Sequence, residues 1–225
     1  MTVDANSFLS VWQAMPSDAS YPRRLNSADQ RWASLHAIGN RDILDVRAVG
    51  LICSVQCPGS IVFKTFDAIR ELRDAGLAVA GGFHSPMEHE CLEFLLRGTQ
   101  PVIVCSAKGI GQPRLPAVWR KAIDADRLLL VSPFADTVRR TTKAQAQTRN
   151  EFVAASAAVL IPHASPGGKA EAIARQVVES GKPLFTFDDP ENQSLLELGA
   201  IAYSLNKIHK ALASSSVLRN EHTSP

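Results

Sequence analysis

The segment His163-Ala164-Ser165-Pro166-Gly167-Gly168-Lys169 joins two glycines to a hydroxyl and a cation, directly before a stretch with helical periodicity. Backbone N–H groups at a helix start, reinforced by the helix dipole, attract anions, and a lysine adds a point charge suited to phosphate. His163, Ser165, Gly167, Gly168 and Lys169 are therefore the first candidates for holding a phosphate-like group. A second segment, Gly81-Gly82-Phe83-His84-Ser85-Pro86-Met87-Glu88, explains part of itself structurally. Ser85 reads as a helix N-cap, Pro86 as the first helical residue and Glu88 as the partner that closes a capping box. Gly81 and Gly82 permit positive φ or let a ligand approach the backbone. His84 stands beside the helix start as either a ligand contact or an imidazole bonded to a neighbouring carbonyl.

Other candidates lie at similar turns. Ser54, Gln56 and Gly59 offer neutral hydrogen bonds and an open backbone between an apolar run and a helix. Lys108 follows another apolar run, and Arg139 and Arg140 follow a third together with Phe134, a pairing suited to phosphate contact and base stacking. Phe83 is a second ring available for stacking. Arg149 and Asn150 sit side by side in a helical stretch otherwise rich in Ala, Gln and Thr. These residue types bind and orient; none supplies an activated nucleophile, so no catalytic residue is assigned. Only Gly59 stands in the first turn where a dinucleotide fingerprint needs three glycines, so no cofactor is expected. Cys53 and Cys57 are four apart, but no second Cys or His pair follows at structural-zinc spacing, so no metal is expected.

The chain has 225 residues, 45% hydrophobic and 20% charged, the balance of a globular protein with one principal core. A formal net charge of +2 gives no global basic field, so any nucleic-acid contact depends on a local cluster of cations. No apolar stretch is long enough to span a membrane, and the start of the chain does not read as a secretory signal, which implies a cytoplasmic protein. The four cysteines are then expected to be reduced thiols.

These candidate residues need a scaffold that brings the turns together. Short apolar runs over 48–54, 77–80, 102–105, 128–131, 158–161 and 184–187 read as buried strands. Between them, 61–75, 86–97, 115–125, 142–157 and 169–180 carry apolar residues at helical spacing. The alternation predicts an α/β, Rossmann-like, three-layer fold with a mainly parallel sheet of about six strands. Right-handed crossovers place every strand-to-helix turn on one edge. Ser54, Gly82, Lys108, Arg139 and Gly167 should share it. Residues 1–45 lack this rhythm and read as an N-terminal extension, with turn and surface material around 17–24. Residues 46–212 form the Rossmann-like domain, closing with a helix over 193–212, and 213–225 read as a flexible tail.

Taken in order, these segments resemble the DNA-processing protein A (DprA/Smf) family. The resemblance rests on Tyr21-Pro22, Leu25, Gly39-Asn40 and Leu44 before the first core strand, and on Cys53-Ser54-Val55 in place of a Gly-Ser-Arg turn. It continues through the segment 81–88, the pair Arg149-Asn150 and the turn 163–169. It covers about residues 21–187 and marks a divergent member, since Val55 and Gln56 stand where the family has its arginine; no winged-helix tail is expected after Leu212. The resemblance implies a homodimer that binds single-stranded DNA in a basic pocket and helps to load the RecA recombinase during DNA uptake or repair. Pro166-Gly167-Gly168-Lys169-Ala170-Glu171 is also similar to the glycine loop of lysine-decarboxylase-like nucleotide phosphoribohydrolases, without that family's Gly-Thr and with its acidic residue displaced. The expected function is thus a non-enzymatic binder of single-stranded DNA. The alternatives are a sensor of a nucleotide-derived small ligand and a nucleoside-phosphate hydrolase, for which Glu88 is the reserve acid.

Overall fold

The computed structural model describes residues 10–18, 21–22, 25, 32–111 and 113–214. Its sheet is built on six parallel strands: β3 (Ala48–Leu51), β4 (Ala78–Gly81), β5 (Val102–Cys105), β6 (Leu128–Ser132), β7 (Ala158–Leu160) and β8 (Leu184–Thr186). All six expected runs are strands. Among the described residues three more complete a nine-stranded sheet: β1 (Trp12–Ala14), β2 (Leu35–Ile38) and β9 (Ile201–Ala202), in the order β1-β2-β6-β5-β4-β3-β7-β8-β9. β1 and β2 pair antiparallel and extend the sheet beyond β6, so part of the N-terminal extension is built into the core. Tyr21 and Leu25, read from sequence as near surface turns, are buried at 5% and 4% exposure, and the Tyr21 hydroxyl donates to the Trp32 carbonyl.

The continuous apolar runs arise because each core strand is covered on both faces. Along β5, Val102 and Val104 enter one apolar cluster while Ile103 and Cys105 enter the other. The helices α1 (Gly59–Asp74), α2 (Pro86–Leu96), α3 (Ala117–Asp124) and α7 (Leu205–Ser214) contribute Ile69, Leu72, Leu92, Leu95, Ile123 and Ile208 to the first cluster. On the other face, α4 (Lys143–Ala154) and α5 (Lys169–Glu179) contribute Phe152, Val153, Ile173 and Val177. Phe152 meets Trp32 edge-on at 5.3 Å between centroids.

Strand order explains why the helices divide this way. The chain runs from β3 to β6 in one direction, then crosses back past β3 to β7 and continues outward to β8. Right-handed crossovers made in opposite directions place their helices on opposite faces. The reversal lies between β3 and β7, the crevice where ligands bind in open α/β sheets. Ser54, Gly82, Lys108, Arg139 and Gly167 each follow the carboxyl end of one of the parallel strands β3 to β7, as the alternation required.

The C-terminal part departs from expectation. The single helix read over 193–212 is two helices, α6 (Gln193–Glu197) and α7, separated by β9. Gly199, at φ 110°, turns the chain out of α6, and the extended segment that follows pairs with β8. Ser204 then starts α7 by accepting from the Lys207 N–H. Most of the expected tail, residues 215–225, lies outside the described residues.

Candidate nucleotide-binding cleft

A cleft of about 420 Å³ opens at the β3/β7 switch point. It gathers Ser54 and Gln56 from the turn after β3, His84 from the turn after β4, Arg149 and Asn150 from α4, and Ser165, Gly168 and Lys169 from the turn into α5. Eight of the expected site residues therefore line one space. Cys53, Val55, Ala146 and Ala170 complete the lining and were not singled out from sequence. Ala146 carried a usable signal, because it lies one helical turn before Arg149 and Asn150.

Arg149 organises the floor. Its Nε and Nη2 both donate to Asn150 Oδ1, at 3.0 and 2.8 Å, and the residue is only 3% exposed. The guanidinium lies over Gly82, where a Cβ would come within 2.5 Å of it. Gly82 is thus a close-approach glycine that serves the arginine. Burial pulls the Arg149 pKa down, opposed by the negative charge of Glu88, and a guanidinium stays protonated in such a setting.

Glu88 is buried at 2% exposure beneath this floor. Its Oε1 accepts the Cys53 N–H at 3.2 Å, and its Oε2 accepts those of His84 and Ser85 at 3.2 and 3.3 Å. Oε2 also meets His84 Nδ1 at 3.0 Å. Burial works to raise the Glu88 pKa, but His84, as bond partner and charge, and the backbone N–H groups of Ser85 and His84 together hold it below the ordinary carboxylate range. The capping box with Ser85 is complete, so Glu88 acts as a structural hub and does not line the cleft. His84 lines the cleft with its Nδ1 held by the carboxylate.

The α5 end of the cleft is less simple than the sequence suggests. α5 starts from Gly168 without a side-chain cap, so its first N–H groups border the cleft. Gly167, at φ 66°, instead donates its N–H to Glu171 Oε2 at 2.5 Å, and Glu171 also takes Arg175. This internal carboxylate occupies the Gly167 N–H that was expected to face a phosphate. Lys169 Nζ bonds the Lys143 carbonyl at 3.3 Å, joining α5 to the start of α4.

Several expected residues stand elsewhere. His163 is 8% exposed and bonds Asn192 Oδ1 at 3.1 Å, while its carbonyl accepts the Ser54 N–H. It shapes the turn from behind. The fully buried Asn192, which sequence reasoning missed, donates to Pro162 and Phe187 and ties the ends of β7 and β8 together. Gly81 lies under the Phe83 ring, and Phe83, at φ 46° and 6% exposure, belongs to the core. The expectation that Phe83 stacks a base is corrected, because the positive φ folds the ring back onto Gly81. Ser85 is consumed by the capping box, and Gly59 opens α1 with no close neighbour. Lys108, Arg139 and Arg140 are exposed on the same sheet edge but outside the cleft lining.

The three layers, the mainly parallel sheet and its reversal between β3 and β7 define a Rossmann-like α/β protein. A family model for DNA recombination-mediator protein A matches residues 12–212, and the chain belongs to that family. DNA processing protein A from Streptococcus pneumoniae superposes with a TM-score of 0.75 at 18% identity, over 91% of this chain and 75% of that one. The Helicobacter pylori protein, whose structure is described for its single-stranded DNA binding mode, gives 0.71 at 20% identity over 92% and 97%. Both share the fold. No curated protein matches the chain by sequence. Among the described residues, no helix is long and apolar enough to cross a membrane.

Proposed function

We propose that the cleft binds single-stranded DNA, and that the protein is a non-enzymatic recombination mediator acting in the cytoplasm during DNA uptake or repair. The observation that carries this reading is the convergence of Arg149, Lys169 and the open start of α5 on one space at the switch point, in a chain of the DNA recombination-mediator family. Phosphate would lie against Lys169 and the first N–H groups of α5, with Arg149 and His84 reading the adjoining group. Lys108, Arg139 and Arg140, along the same edge, would extend the phosphate track, and Phe134 is the ring left to stack a base. Family membership supports a homodimer and the RecA recombinase as partners.

One observation favours a second reading, in which the ligand is a single nucleotide-like molecule. The cleft has the volume of a small-molecule site, and the three edge cations stand outside its lining. A salt titration of binding to single-stranded DNA, duplex DNA and mononucleotides separates the two. Strand binding weakens steeply with salt, and Arg149→Ala and Lys169→Ala each lower the slope by about one phosphate contact. Combined, the two changes are non-additive if both groups meet one phosphate. Unchanged DNA affinity and slope in both single variants would remove the DNA reading.

A further inference from the structure

The carboxyl edge of the sheet is charged unequally on the two sides of the cleft. On one side, the turns after β5 and β6 carry three exposed cations, Lys108, Arg139 and Arg140, and one carboxylate, Asp136, whose Oδ1 accepts the Gly111 N–H at 2.8 Å. These two turns are joined, since the Gly109 N–H donates to the Val138 carbonyl at 2.9 Å. On the other side, the turn after β8 carries Asp188, Asp189 and Glu191. Lys64 pairs with Asp189 at 2.7 Å. Asp188 and Glu191 are exposed and form no ion pair with a described residue.

Between the two sides, the cleft lining holds two fixed cations, Arg149 and Lys169, and no carboxylate. Glu88 is spent on backbone N–H groups and His84, and Glu171, at the start of α5, on Arg175 and the Gly167 N–H. Arg149 is 3% exposed, yet it forms no ion pair with a described residue. Its Nε and Nη2 are bonded to Asn150. Its Nη1 bonds no described residue and is not sealed from solvent, so it is left for a ligand in the space that Arg149 lines. A buried guanidinium without a counter-ion, beside the open start of α5, calls for an anion.

We propose that the cleft takes the terminal phosphomonoester of a single strand, and that the strand leaves only along the turns after β5 and β6. The inference rests on the DNA reading and narrows it from any stretch of strand to a strand end. A phosphomonoester carries a charge of about −1.5 to −2 at neutral pH, against about −1 for an internal diester, and it matches Arg149 and Lys169 together. An internal diester needs two exits. One of them takes its phosphates past Asp188 and Glu191, where like charges repel. A strand end needs one exit, and Lys108, Arg139 and Arg140 stand along it. The placement of these three cations outside a nucleotide-sized cleft then has a reason: they serve the phosphates that follow the first nucleotide.

The test is fluorescence anisotropy of the full chain with an internally labelled single strand of about 20 nucleotides, at about pH 7.5, where the monoester is a dianion. The strand is offered with a 5′-phosphate, with a 3′-phosphate, with hydroxyl groups at both ends, and as a closed circle. A phosphate at one end should tighten binding about tenfold over the hydroxyl form, and the circle should bind no better than the hydroxyl form. Arg149→Ala and Lys169→Ala should each erase that difference; Lys169 is exposed, so its variant carries the test if circular dichroism shows Arg149→Ala unfolded. Arg139→Ala should weaken every form and keep the difference. Asp188→Lys combined with Glu191→Lys should open the second exit and tighten binding of the circle. Equal affinity for phosphorylated, hydroxyl and circular strands would overturn the strand-end inference and leave the DNA reading standing. Thymidine monophosphate binding as tightly as the phosphorylated strand would overturn both.

Discussion

Replacing Glu88 by glutamine perturbs the joint between the turns after β3 and β4 and the floor of the cleft. The carboxylate accepts three backbone N–H groups, two of them in buried bonds, and meets His84 Nδ1, and its charge faces the buried Arg149. An amide keeps one acceptor oxygen and turns an NH2 towards donors, leaving at least one buried N–H unpaired at a cost of about 1–3 kcal/mol. Loss of the charge opposite Arg149 adds to this, so about 3 kcal/mol in total is expected. With a urea m-value of about 2–3 kcal/mol/M for a chain of this size, the midpoint should fall by about 1 M at neutral pH. The pH profile gives an independent check. A carboxylate whose folded pKa is depressed contributes stability above its unfolded value, near 4.5, and loses that contribution as pH falls through the folded value. Parent and variant should therefore differ most near neutrality and converge in acid. Urea titrations followed by circular dichroism between about pH 3 and 7 measure both quantities. A midpoint within about 0.2 M of the parent at neutral pH, with an unchanged pH profile, would refute the assignment of Glu88 as the hub.

The remaining predictions concern glycines at close approaches. Gly82→Ala places a Cβ 2.5 Å from the Arg149 guanidinium and should displace it, weakening anion binding about tenfold while costing about 1–3 kcal/mol of stability; equal affinity in a calorimetric titration would show that Arg149 does not read the ligand. Gly50→Ala, on β3 and outside the cleft lining, meets the Val153 carbonyl of α4 at 2.6 Å. It should lower the melting temperature by about 5–8 °C through forced separation of helix and sheet, and an unchanged melting curve would contradict the packing.

The local rules in the sequence were enough to specify the core. Continuous apolar runs alternating with amphipathic helices determine a parallel, doubly covered sheet, because strands buried on both faces have no polar side. The same rules place the turns at one edge, and Ser85, Pro86 and Glu88 spell out their capping box by residue type alone. The family likeness was also legible in ordered motifs. Short strands were not: β1 and β9 span three and two residues and exist because β2 and β8 offer them an edge, which no local periodicity reports. Within the site, residue type could not separate ligand-facing groups from those spent on the scaffold. His84 and His163 look alike in sequence, yet one lines the cleft and the other is bonded to Asn192, 29 positions away. Gly167 offered a phosphate cradle until Glu171 folded back onto its N–H. Arg149, in a polar helix, became buried because α4 lies over the sheet and Gly82 leaves space for it. Each of these outcomes depends on contacts between elements distant in sequence. Tertiary packing therefore decided which candidate side chains remain open to a ligand.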